Sequence, residues 1–218
     1  TALPVVVGVS LPDAAMKVGD TVVVDLTVGD DGGVAFADII GQVGVFALSS
    51  LTRVSATAYT AEFTVTDLGS DVTATNDIPV SLTLVDAAGN VSANYSSPIA
   101  GSQTSIDANT PVLEAVQLAS AAAQVVNHTL REGDTLKLAL TFSESVFVTG
   151  APTLSVTLGD QSVNLAYLSG SGSASLVFGY TVLPGQTDVD GITFAANALR
   201  LNGGAIVDAS GMAGTIEA

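Results

Sequence analysis

Apolar and polar residues alternate in short runs along this chain, and the runs stop at clusters of Gly, Asp, Asn or Ser. That rhythm predicts half-buried β-strands, and no long amphipathic helix is written anywhere in it. Residues 3–9 form a first predicted strand. Residues 21–28 alternate cleanly, and side chains of a strand point to opposite faces in turn. Val22, Val24, Leu26 and Val28 therefore share the core face, with Asp25 and Thr27 outward. Residues 59–65 place Tyr59, Ala61, Phe63 and Val65 inward. Residues 78–85 do the same with Ile78, Val80, Leu82 and Leu84. The stretch 34–58 breaks into short apolar pieces without one clear period. Residues 91–99 are the last predicted strand before a polar stretch, 101–111, that opens on Gly101 and ends on Pro111.

Beyond that stretch the pattern starts again. Residues 132–142 echo 18–28 at an offset of 114, with Leu136, Leu138, Leu140 and Phe142 as the inward set. A slip of one position would turn every side chain to the other face, so the matched register carries information. Residues 153–158 and 162–168 predict a hairpin around Gly159-Asp160. Residues 175–182 alternate with Leu176, Phe178, Tyr180 and Val182 inward. The run Val207-Asp-Ala-Ser-Gly211 repeats Val85-Asp-Ala-Ala-Gly89, now at an offset of 122, so the second copy carries about eight extra residues before it. A repeat of this period predicts an array of whole domains.

Several short motifs recur in both copies. A Gly-Asp-Thr turn precedes an alternating strand at Gly19–Thr21 and at Gly133–Thr135. An Asp-Ala-Ala-Gly-Asn turn stands at 86–90 and is imperfect at 208–212. Thr141-Phe-Ser-Glu144 and Thr187-Asp-Val-Asp-Gly191 accompany them. Together these resemble the bacterial immunoglobulin-like repeats stacked in large surface proteins, including RTX-type adhesins and biofilm-associated proteins. The resemblance implies an all-β fold of two tandem immunoglobulin-like Greek-key β-sandwiches, residues 1–103 and 112–218, with a linker at 104–111. It also implies an extracellular place on a bacterial cell surface and a mechanical role in cell adhesion. Asp107-Ala-Asn109 with Pro111 after it resembles a cadherin-type calcium linker, but lacks that motif's further acids.

Composition narrows the chemistry. The 218 residues carry 21 acids against five bases, a net charge of −16. Such a field opposes nucleic acid and anionic lipid, and favours cations. No apolar run approaches the roughly 18 residues of a membrane helix. No leader sequence precedes Thr1, so the chain reads as part of something longer or as processed. Cysteine is absent, which removes disulfides and thiolate ligands. The single histidine, His128, has no orienting partner in sight and reads as a surface residue. Gly170–Ser173 is followed by no helix that would hold a phosphate, and reads as a loop. The paired carboxylates fall in turns rather than in a cleft of the glycosidase kind. The chain is therefore expected to be no enzyme.

Calcium suits the acids better. It takes six to eight oxygens from carboxylates, amides, carbonyls and water. In a sandwich of alternating strands, the loop containing Asp67, Asp71 and Asp77 meets the linker from the first copy, with Asp20 nearby. Glu144 and the Asp208 turn meet it from the second. With Asp107 and Asn109 these form the expected Ca2+ ligand set. Asp188 and Asp190 are a further candidate pair, able to hold an ion alone. Asp30, Asp31, Asp38 and Asp86 are expected as a half-site at one free end, and Asp134, Asp188 and Asp190 at the other. Against this stands the ordinary use of Asp and Asn as turn formers. The expected partners are neighbouring repeats of the same chain and calcium, with the chain monomeric. Two rival readings remain open: a carbohydrate- or cell-surface-ligand-binding module, which the scarcity of aromatics opposes, and an accessory domain of a secreted enzyme.

Overall fold

A computed structural model describes residues 3–67, 71–101, 104–121 and 129–214. The protein is all-β, with no helix among the described residues. It divides into two compact units, Thr1–Asn109 and Thr110–Ala218. Each has its own apolar core.

In the first unit, β1 (Val6–Ser10), β3 (Thr21–Val28), β7 (Ala58–Thr64) and β6 (Ser49–Ser55) form one sheet in the order β1-β3-β7-β6. Opposite it, β5 (Phe46–Ala47), β4 (Asp38–Val43) and β8 (Val80–Val85) form a second sheet. This is the two-sheet strand order of an immunoglobulin-like sandwich. The inward residues read from the sequence are the ones that fill it: Val24, Ala61 and Leu84 have no exposed surface, and Tyr59, Phe63 and Leu82 are 1% exposed. The difficult stretch 34–58 resolves into β4, β5 and β6. Residues 91–99 follow β8 by isolated bridges at Val91, Tyr95 and Ile99 instead of a continuous ladder. Pro98 lacks an N–H to donate there, and between Val91 and Tyr95 this side carries one residue more than β8 does between Leu82 and Val85, as a bulge does.

The predicted linker begins inside this unit. Ser105–Asp107 is a strand, β9, parallel to β2 (Ala15–Lys17), and it buries Ile106. Ala108 is also buried.

In the second unit, β10 (Leu113–Leu118), β11 (Thr135–Thr149), β14 (Ser173–Thr181), β13 (Gln161–Ser169), β12 (Thr153–Leu158) and β15 (Thr193–Arg200) form one continuous sheet in that order. The β12–β13 hairpin turns at Gly159-Asp160, as its spacing predicts. Leu136, Leu140, Leu176 and Phe178 have no exposed surface. The 15-residue β11 does more than its counterpart β3. Its first half pairs with β10 and β14; its last residues, Phe147–Thr149, pair with β16 (Ala205–Val207). The Gly-Asp-Thr turns are built alike in both units. Asp20 Oδ2 accepts from the Lys17 amide at 2.9 Å, and Asp134 Oδ2 from the Arg131 amide at 2.7 Å. Both acids are thus turn formers.

Candidate metal centre

The two Asp turns repeat one backbone device. The amides of Ala88 and Asn90 donate to Asp86 Oδ1 at 2.9 and 2.8 Å. Those of Ser210 and Met212 donate to Asp208 Oδ1 at 2.8 and 2.9 Å. Gly89 and Gly211 close the turns at φ 85° and 79°, a conformation that glycine adopts without a Cβ penalty. The second carboxylate oxygens differ. Asp86 Oδ2 accepts from the Asn90 side-chain amide at 2.8 Å, and this bond is the main cause that holds the Asp86 carboxyl below its ordinary pKa. Met212 stands where Asn90 does, and its side chain has no donor. Asp208 Oδ2 is buried and meets no hydrogen-bond donor among the described residues, in a side chain that is 3% exposed.

Glu144 lies beside it. The inward positions of β11 run Leu136, Leu138, Leu140, Phe142, and the phase continues through half-buried Glu144 to buried Val146. Asp208 likewise continues the inward phase of β16 after Ile206. The β11–β16 ladder sets these two acids at the same end of the unit, with a carboxylate oxygen of each within 4.8 Å of the other. Two unit charges at that spacing repel by about 3–4 kcal/mol at an effective dielectric near 20. Burial of Asp208 adds to the cost of leaving its second oxygen charged without a donor. A divalent cation between them removes both penalties.

The other candidates sit as follows. Asp107 ends β9, half-buried, opposite Lys17 in register. Asn109 is half-buried, and its Oδ1 is out of solvent without a hydrogen-bond partner among the described residues. The acidic loop does reach the 101–109 segment of its own unit. Asp71 Oδ1 accepts from the Ala108 amide at 2.9 Å and Asp77 Oδ1 from the Gly101 amide at 3.0 Å. Each therefore has a structural use, clamping the backbone that leads out of the first unit. Asp67 is exposed at the start of that loop.

Asp188 forms its own turn, accepting from the Asp190 and Gly191 amides on Oδ1 at 3.2 and 2.7 Å. Burial pushes its carboxyl pKa up, but the amides of Gly191, Gly159 and Asp190 outweigh that and hold it below the ordinary value. It edges a cavity of about 210 Å³ lined mainly by Leu118, Leu130, Leu136, Val182 and Ile192. Asp190 is exposed.

In the first unit, Asp30, Asp31 and Asp86 of the expected half-site line one pocket, and these acids and Asp38 each have hydrogen-bond partners within the unit. Asp31 is wholly engaged by Arg53, Tyr59 and Gly33. Asp86 is engaged on both oxygens. Asp30 Oδ1 accepts from the Gly32 amide at 2.8 Å. Asp38 Oδ1 accepts from the Ile39 amide at 2.8 Å. Gly170–Ser173 is a hairpin turn in which Ser173 Oγ donates to the Gly170 carbonyl. His128 lies outside the described residues.

No protein-family model matches the chain, and no curated protein sequence matches it. Among solved structures it is similar to a DUF4785 family protein from Legionella pneumophila, at 13% identity and a TM-score of 0.32. That match covers 80% of this chain, which spans 47% of the other protein's length. It is also similar to the titin Ig tandem domains A164–A165, at 12% identity and a TM-score of 0.24, covering 98% of this chain and 97% of that one.

Proposed function

We propose that this chain is a pair of spacer repeats from a bacterial surface adhesin, stiffened by calcium at the joint, with no catalytic role. The observation that carries the reading is the buried, donor-free Oδ2 of Asp208 set beside Glu144. Calcium fits this donor set because it accepts hard carboxylate and amide oxygens in irregular geometry. Glu144 and Asp208 would hold the ion in the second unit. Asp107 and Asn109, two to four positions before Pro111 in the chain, would supply the linker oxygens. Asp71 and Asp77 would hold the linker backbone in place for them. A bound cation would add several metal–oxygen bonds to the single peptide connection. That is the property a surface rod needs to project a distal head. The repeated sandwich and the strongly acidic composition support the same reading, as does the weak nucleophile and base inventory of the sequence.

Small-angle scattering of the whole chain in 5 mM Ca2+ and in excess chelator tests this, at ion concentrations of the order that extracellular calcium modules require, roughly 0.1–1 mM and above. Calcium is expected to narrow the distribution of interdomain distances, and chelator to broaden it again. Identical distributions in the two conditions would sink the stiffening role.

A further inference from the structure

We infer that the residue four positions after the turn aspartate decides whether a unit of this protein is open to a cation: Met212 opens the Asp208 turn, and Asn90 closes the Asp86 turn. This rests on the functional reading above and names what selects the site.

The two turns form a natural comparison. Both aspartates spend Oδ1 on the same two backbone amides, at distances that agree within 0.1 Å. The difference lies in what reaches Oδ2. In the first unit the Asn90 amide donates to it at 2.8 Å, so the carboxylate has a fixed neutral donor. A cation would have to break that bond. In the second unit the thioether of Met212 cannot donate, and Oδ2 stays buried with an unused lone-pair set. The acid two positions beyond a matched register point of β3 and β11 differs too. Val28 and Phe142 occupy the same register place, opposite Val6 and Leu113, which makes Asp30 the counterpart of Glu144. Asp30 is exposed and ties one oxygen to the Gly32 amide. Glu144 is half-buried in the inward phase of β11 and reaches Asp208. Two changes therefore act together in the second unit. One removes a competing donor, and the other brings in a second carboxylate. The first unit carries a turn that is complete without an ion.

The test is a calorimetric Ca2+ titration of the whole chain, comparing the native sequence with Met212→Asn and Met212→Leu, each also melted in chelator. Met212→Asn is expected to weaken calcium binding at least tenfold, while Met212→Leu stays within about threefold of native. In chelator, Met212→Asn should melt higher than Met212→Leu, because the amide now satisfies Asp208 Oδ2. Native affinity in Met212→Asn would overturn the inference while leaving calcium stiffening intact. Loss of binding in Met212→Asn alongside unchanged scattering of the native chain would sustain the inference and sink the stiffening. A native chain that takes up no calcium overturns both. Should Met212→Asn fail to fold, Asn90→Met provides the reciprocal. Combined with Asp30→Glu to supply the second carboxylate, it should melt lower than native in chelator and recover part of the loss with Ca2+; a melt indifferent to Ca2+ would overturn the inference.

Discussion

Asp31 accepts hydrogen bonds from Arg53 Nε at 2.6 Å, Arg53 Nη2 at 3.1 Å, Tyr59 Oη at 2.7 Å and the Gly33 amide at 2.9 Å. Tyr59 Oη in turn accepts from the Phe36 amide at 3.0 Å, so one carboxylate ties loop 29–37 to β6 and β7. The Arg53 side chain, then the Tyr59 hydroxyl, hold the Asp31 carboxyl well below the usual carboxylate range. Its folded pKa lies under its unfolded one, so the stabilisation is complete above the unfolded value near 3.8 and drains away as pH falls below it. Arg53→Met is expected to move the acid-unfolding midpoint of the first unit to higher pH, followed by tryptophan-free near-UV circular dichroism of its tyrosines. An unchanged acid midpoint would show that the network contributes nothing. Nothing in the spacing of Asp31, Arg53 and Tyr59 announces this cluster, since they stand 22 and 28 positions apart in the chain.

Strand β11 carries the chemistry of the second unit at the scale of an element. Its alternation was legible from Leu136 to Phe142, and the same period places Glu144 in the inward phase. An acid at an inward position of a strand is the sequence signal for a buried polar site. What the sequence leaves unsaid is that β11 continues for 15 residues and trades one partner strand for another after Glu144. Leu140 lies at the centre of this strand with no exposed surface. Leu140→Ala is expected to cost about 3 kcal/mol, the usual penalty of an unfilled core position. Hydrogen exchange should show the loss in β10, β11 and β14, with the ladder of β3 and β7 keeping its protection. Equal loss in both ladders would mean that the two cores do not unfold as separate units.

For the whole molecule the excess of acids matters more than any one of them. A net charge of −16 repels itself in the folded state, and any salt relieves part of that. Ion-specific binding is therefore separable from screening. At matched ionic strength, 5 mM CaCl2 is expected to raise the melting temperature above NaCl by several degrees, a shift on the order of 1–2 kcal/mol at this chain length. Asp208→Ala should abolish that difference and leave the NaCl dependence in place. A melting temperature that follows ionic strength alone would assign the acidity to solubility.

The sequence by itself determined the all-β class, the tandem repeat and the inward residues of the regular strands, because a period of two fixes which side chains share a face. Val22–Val28 and Leu136–Phe142 needed no coordinates. It also marked Glu144 and the Asp208 turn as candidate ligands. Only the tertiary structure decided which acids are already spent. Asp31, Asp71, Asp77 and Asp86 look equivalent to Asp208 in composition, yet each accepts hydrogen bonds that Asp208 Oδ2 lacks, from Asn90 of the same turn for Asp86 and from donors 22 to 37 positions away for the other three. Hydrogen-bond satisfaction depends on distances between residues far apart in the chain, and a linear pattern does not contain them. The replacement of Asn90 by Met212 was visible in the sequence as an imperfect repeat; its consequence, a buried oxygen with no donor, exists only once the chain has folded.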